Sequence, residues 1–458
     1  MLQFGNSMRY FHFHLLFLSW FFLFISNSHE LEQDQSQTLL QLRAYLEFPS
    51  SLQIMENYNN DLCYLPSTSN LSIKCEDNSI TELKIFGEKS LKPSSFNGFA
   101  IPNQTLSMNF SIGSFFTTLT KLKTLKVLTL VSLGIWGKLP NKIQSLTFLQ
   151  VFDLSSNFLF GTIPPKISTM VKLQSLTLDE NYFNTTIPNW FDSLFNLSIL
   201  SLKKNHLKGS FPISLCKIKT LKVISLSQNE LSGELHSLTT LNGLHVLDLR
   251  ENRFEFELPV LPKFVVTVLF SNNSFSGEIP KKFGELNHLQ HLDLSSNHLK
   301  GTPPSTLFSL SNLSYLNLAN NVLSGEFSDK LRCGGKLGYV DISSNKLRGL
   351  LPSCLVNSSN GRVVRYGRNC LSVDSQNQQR GSYCKASGFG WVKLKEWKVV
   401  AVVAIIVGFV LVVLVFGVLL CKKCHLMKKT RKDVLPKIVQ DKSTTGVSSE
   451  VLANASKY

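Results

Sequence analysis

Residues 289–297 read Leu289-Gln290-His291-Leu292-Asp293-Leu294-Ser295-Ser296-Asn297. Apolar residues stand 8, 5 and 3 places before the asparagine. Residues 173–181 repeat the arrangement with Leu173, Leu176, Leu178 and Asn181. Outward from these two stretches, the asparagine recurs at 157, 181, 205, 229, 252, 273, 297, 321 and 345, a nearly constant step that is shortest between Asn252 and Asn273. Self-similarity at a fixed period of this size is the signature of a solenoid. It displaces the two or three compact domains that 458 residues would otherwise suggest.

The unit is the L-x-x-L-x-L-x-x-N pattern of leucine-rich repeats. Residues two apart share one face of a strand, so Leu292 and Leu294 point inward and Asp293 outward. The asparagine turns in at the following bend, where its amide satisfies backbone groups that burial would leave unpaired. Stacked coils then predict an asparagine ladder, because no coil covers its own apolar face. After the asparagine most repeats read x-Φ-x-G-x-Φ-P, as at Phe275, Gly277, Ile279 and Pro280, or Leu159, Gly161, Ile163 and Pro164. Leu125, Leu128 and Leu130 lead to Leu133 in the asparagine slot. Ile80, Leu83 and Ile85 form a degenerate first repeat, followed by an irregular insertion to about Leu119. The expectation is an α/β solenoid over 80–353 with ten clear repeats and one degenerate one.

The flanks read as targeting and anchoring. Arg9 precedes an apolar run from Phe11 to Ile25, and Ser26 and Ser28 suit a signal-peptide cleavage site, giving a signal over 1–28. Val399 to Leu420 is an uncharged apolar stretch, long enough for one transmembrane helix. Lys422, Lys423, Lys428, Lys429, Arg431 and Lys432 follow it and place the tail, 421–458, in the cytoplasm. A single-pass type I plasma-membrane protein with an extracellular N-terminus follows. The formal net charge is +16, and the tail alone holds nine Lys/Arg against three Asp/Glu. That basicity points to anionic lipid rather than nucleic acid. Cys421 and Cys424 at the boundary are palmitoylation candidates or inert thiols.

Caps are expected at 29–79 and 354–398, since a solenoid exposes its core at both ends. Cys63 with Cys75, Cys370 with Cys384, and Cys333 with Cys354 are disulfide candidates in a secreted part, which leaves Cys216 free. Metal ligation is disfavoured because no histidines cluster near these cysteines, and no cofactor is called for. Sequons at Asn70, Asn103, Asn109, Asn184, Asn196, Asn272, Asn312 and Asn357 are glycosylation candidates.

The order of signal, paired-Cys cap, repeats, Cys-bearing C-cap, span and basic juxtamembrane segment resembles plant leucine-rich-repeat receptor-like kinases. In particular it is similar to the group of probable inactive leucine-rich-repeat receptor-like kinases. Three stretches carry the finer likeness: Ser36-Gln37-Thr38 with Leu46-Glu47-Phe48-Pro49, the run Val131 to Gly137, and Ser443-Thr444-Thr445-Gly446 with Ser448-Ser449. The x-Φ-x-G-x-Φ-P extension resembles the plant-type repeat, which implies a second short strand set and a twisted superhelix. The likeness also implies a kinase-like domain after the span, yet only the short tail 421–458 follows it and no kinase motif is found there. The chain as given is therefore not expected to be an enzyme.

Function reads as binding. Asp179, Glu180, Lys203, Lys204, Gln228, Arg250 and Glu251 fall 2 or 1 places before the ladder asparagines, and form a charged band that either reads a ligand or is a solvated face. Tyr315 and Tyr339 are a second candidate patch. The expectation is a receptor-like protein that takes an extracellular peptide or protein on its concave face and signals through a co-receptor or partner kinase. A truncated inactive receptor-like kinase and a binding-only decoy or inhibitor are the alternatives.

Overall fold

The structure is a computed structural model that describes residues 33–58, 62–89, 92–356, 361–373, 377–379 and 383–384. The chain divides into two units, Met1–Cys384 and Lys385–Tyr458, and the described residues lie in the first. The expected signal, the 399–420 span, the tail with Cys421 and Cys424, and Asn357 fall outside them.

The repeat period becomes a sheet of thirteen strands. It starts as a hairpin, Leu71–Glu76 against Ser79–Phe86, and then runs parallel, one short strand per coil, to Val363–Arg365. Leu128, Phe152, Leu176, Leu200 and Ile224 lie in register on adjacent strands and are fully buried, so the apolar residue 5 places before each ladder position builds one continuous column. Three smaller sheets form the second strand set, one of them joining Lys208–Gly209, Glu230–Glu234, Arg253–Glu257 and Ser274–Ser276. Prolines such as Pro164 and Pro280 hold extended backbone just ahead of short 3-10 turns at Pro165–Thr169 and Lys281–Glu285.

The asparagine ladder is explicit. Asn181 donates from Nδ2 to the Leu178, Asp179 and Leu154 carbonyls at 3.2, 3.1 and 3.0 Å, and its Oδ1 accepts the Leu159 N–H at 3.0 Å. The pattern holds from Asn205 to Asn345. Leu133 has no amide to offer, and Asn157 compensates by accepting both the Leu133 and Ile135 N–H groups, at 3.2 and 3.1 Å. The ladder also runs one coil beyond the 80–353 expectation. Asn369 continues the repeat spacing past Asn345, is fully buried, and accepts the Leu347 N–H at 3.0 Å.

Every residue just before a ladder asparagine from Asn157 to Asn369 is left-handed, with φ between +53° and +56° from Ser156 and Glu180 through Ser344 to Arg368. The turn aims each N–H at the next coil, as in Glu180 N–H to Lys203 O at 2.9 Å. Left-handed backbone costs about 1–2 kcal/mol per residue, and these inter-coil hydrogen bonds offset it.

Cys63–Cys75, Cys333–Cys354 and Cys370–Cys384 are bonded, and Cys216 is free and half-buried. The helix Gln33–Tyr45 buries Leu39 and Leu42 over the first strands. At the other end the buried Arg362 donates to the Leu337, Cys354 and Gly334 carbonyls.

Candidate functional site

The inner sheet face divides into two regions of different chemistry. Its earlier half carries the charged band, and that band is largely satisfied within itself. Lys204 Nζ lies 2.6 Å from Glu180, Gln228 donates to Glu251 at 3.0 Å, and Arg250 holds Asp248 at 2.8 Å. The Lys204 ammonium holds the Glu180 carboxyl below its usual range, and Glu180 in turn raises Lys204. Asp248 likewise raises Arg250.

Asp179 departs from the expected outward position. It is 7% exposed, accepts from Ser201 Oγ at 2.6 Å and from the Lys203 N–H at 3.0 Å, and pairs with Lys203 Nζ at 3.4 Å. Burial pushes its carboxyl up despite these partners. The reason is size: a short side chain in this slot, 2 places before the asparagine, fits between adjacent coils, whereas the longer Lys203 and Arg250 side chains reach out of it and stay 45% and 42% exposed. Ser227, Ser271, Ser295 and Ala319 occupy the same slot and are buried as well.

The insertion lays a strap beside the band. Lys92 donates its ammonium to the Asn157 and Glu180 carbonyls and sits over the Phe158 and Tyr182 rings. Phe96 packs on Phe158, Phe160 and Tyr182 with centroids 5.3, 5.8 and 5.3 Å away, and Tyr182 Oη donates to the Pro93 carbonyl at 2.7 Å. Burial lowers Lys92 to about 7 and raises Tyr182 to about 12. A cleft of about 500 Å³ lies between Lys92 and Pro93 on one side and Tyr182, Lys204 and His206 on the other. Sequence reasoning missed the strap, because an insertion carries no period to read.

The later half is different. His291, Tyr315 and Tyr339 occupy one register position on three adjacent strands and stack, with centroids 6.0 and 4.7 Å apart. The Arg365 guanidinium lies 5.7 Å from the Tyr339 ring centre. Asp341 is committed internally, accepting from Ser343 Oγ at 2.6 Å and Tyr339 Oη at 3.2 Å. Burial raises both tyrosines, and Arg365 opposes the shift. A cleft of about 540 Å³ opens among Asn320, Tyr339, Ser344, Arg365 and Arg368. Neither guanidinium has a carboxylate partner among the described residues. These two arginines were also missed: both belong to the coil that ends on Asn369.

The sequons at Asn70, Asn103, Asn109, Asn184 and Asn196 are exposed, and Asn312 is half-buried. Asn196 and Asn312 spend their amides on the Val171 and Asn287 carbonyls, at 2.9 and 2.7 Å. Asn272 is exposed in the left-handed row of the inner face, between the two regions.

Fold and ladder together define a leucine-rich-repeat protein. A Leucine rich repeat profile matches residues 267–323 and 287–347, and a second Leucine Rich Repeat profile matches 148–170 and 172–194. The chain is related to plant LRR receptor-like kinases. It is 42% identical over 123 residues to a probable inactive leucine-rich repeat receptor-like protein kinase of Arabidopsis thaliana, a match covering 27% of this chain and 14% of that protein. It is 40% identical over 136 residues to a probable LRR receptor-like serine/threonine-protein kinase of the same plant, covering 30% of this chain and 17% of the relative. The match thus spans a small part of either relative's length. Among solved structures, a TDR receptor is 28% identical with a TM-score of 0.49, over 56% of this chain and 49% of that one.

Proposed function

We propose that this chain is a cell-surface receptor-like protein that binds an extracellular peptide or protein ligand on its inner sheet face and passes the event to a partner kinase. The observation that carries the reading is the later cleft. Two guanidinium groups without carboxylate partners among the described residues, Arg365 and Arg368, stand beside the stacked Tyr315 and Tyr339. Guanidinium forks suit carboxylates, and tyrosine edges suit apolar or hydroxylated side chains. The favoured ligand is a peptide presenting an acidic group next to an apolar residue. The charged band is a poorer reader, since its charges are spent on one another. A glycan on Asn272 would bound the binding surface on its earlier side. The expected span and basic tail would hold the assembly at the membrane, where a co-receptor contributes the kinase.

A displayed random-peptide library panned against the full chain in detergent tests this reading. Enrichment of acidic peptides that lose binding to Arg365→Ala and Arg368→Ala supports it, together with a kinase activity that co-purifies only when such a peptide is bound. Enriched peptides indifferent to both arginines would refute it.

A further inference from the structure

The short coil between Asn252 and Asn273 carries an aromatic side chain where its neighbours carry glycine. Four places after the ladder asparagine, the flanking coils have Gly233 at φ +83° and Gly277 at φ +77°. The equivalent residue here is Phe256, at φ +66° and 56% exposed. A bulky residue with positive φ is an outlier that folding alone does not favour, because glycine would adopt the same turn without strain. The slot is also the place where the preceding coil lays its own side chain: a Cβ on Gly277 would meet Glu257 at 3.0 Å, and one on Gly301 would meet Glu278 at 2.9 Å. Phe256 instead directs an aromatic ring to solvent. Phe254 and Phe275 of the same sheet are buried and their rings stack at 6.0 Å, and Phe275 is the register partner of Phe256.

The rim is mainly acidic, with Arg253, His236 and Lys300, the bridge partner of Glu278, as its basic members. Glu234 and Glu255 stand directly opposite each other on paired strands, an arrangement that repels. Glu255, Glu257 and Glu278 form no ion pair among the described residues, while Glu230 is held by Arg253 at 3.0 Å and Glu234 lies 3.6 Å from His236. This strip is acidic on a chain of net charge +16. Among the described residues no 3-10 turn forms between Ile213–Lys217 and Lys281–Glu285. Val260 and Phe264 of the same coil are 37% and 52% exposed.

We propose that this outer flank is a docking surface for a basic segment of a second protein. An apolar residue of that segment packs on Phe256, and its lysines or arginines meet Glu255, Glu257 and Glu278. A central aromatic ringed by complementary charge is the usual anatomy of a binding hot spot. The strip belongs to the second strand set and not to the thirteen-stranded sheet, so the inference stands apart from the ligand reading above.

The test pans a displayed random-peptide library, as the probe, against the full chain in detergent and against Phe256→Gly. Peptides with lysine or arginine around one apolar residue should be enriched, and should bind Phe256→Gly roughly ten-fold more weakly or worse. Phe256→Gly should also melt at a higher temperature, because the turn relaxes; loss of binding with gained stability separates a docking role from a packing role. Glu255→Gln with Glu257→Gln and Glu278→Gln should weaken the same peptides and flatten their salt dependence. The proposal is overturned if no basic consensus emerges, if such peptides ignore Phe256→Gly, if that variant melts lower, or if sedimentation shows the chain itself pairing through Phe256.

Discussion

The rings of Tyr315 and Tyr339 lie 4.7 Å apart and within 4° of parallel. That distance is the spacing of neighbouring β-strands. Two tyrosines on adjacent coils at one register position therefore stack without adjustment, and the backbone sets the geometry of the patch. Such pairs contribute about 0.5–1.5 kcal/mol beyond burial. A double-mutant cycle with Tyr315→Ala and Tyr339→Ala, read by urea unfolding, should return a coupling in that range. Additive losses would mean that the stack contributes nothing.

Removing a ladder asparagine should be far more damaging than removing a band charge. Asn297→Ala leaves the Phe270, Leu294 and Ser295 carbonyls and the Phe275 N–H without their side-chain partner. At about 1–3 kcal/mol per unsatisfied buried group, the loss should exceed ~3 kcal/mol. Glu251→Ala removes one exposed partner of Gln228 and should shift stability by less than about 0.5 kcal/mol. Urea midpoints of the two variants give the comparison directly.

Lys92 should make the strap pH-sensitive. Burial lowers its folded value to about 7 from the ordinary 10.5, so between those values the unfolded chain holds the proton more tightly. Stability therefore rises with pH across that window, and the full cost of the buried charge is present below about 7. Melting curves of the wild type and Lys92→Met at pH 6 and pH 10 check the sign: the wild type should gain relative to the variant as pH rises. A constant difference would show that the amine does not titrate in this window.

Arg362 should anchor the far end of the solenoid. Its guanidinium satisfies three carbonyls, of Gly334, Leu337 and Cys354, next to the Cys333–Cys354 bond. Arg362→Met should cost about 2–4 kcal/mol through the orphaned carbonyls and expose the last coils to protease. Arg362→Lys should recover part of the loss, since one ammonium cannot span all three acceptors. Limited proteolysis, with the fragments mapped by mass, reads out the site of opening.

The sequence was most informative where periodicity carried the signal. Leu292, Leu294 and Asn297 announced strand, core and ladder, because each has one solution at a fixed repeat period. It failed where the period is broken or where the backbone bends. Asn369 was hidden because Gly361 replaces the leucine 8 places before it, leaving only Val364 and Tyr366 as weak markers. Asp179 was misplaced because counting positions along a strand does not show that a short side chain in its slot fits between adjacent coils. Lys92 and Phe96 sit in a non-repeating segment whose partners, Asn157 and Tyr182, are far away in sequence, and no local pattern connects them. Phe256 was legible in principle: it stands in the glycine slot of x-Φ-x-G, and only the consequence for φ needed coordinates.

The most direct test of the binding account is the affinity of the full chain for an acidic peptide enriched from the library, measured with and without Arg365→Glu and Arg368→Glu. The account predicts at least a ten-fold loss, about 1.4 kcal/mol, with melting temperature little changed and with Lys204→Ala binding like the wild type. Equal affinity in the double reversal, or a comparable loss in Lys204→Ala, would contradict it and return the site to the charged band.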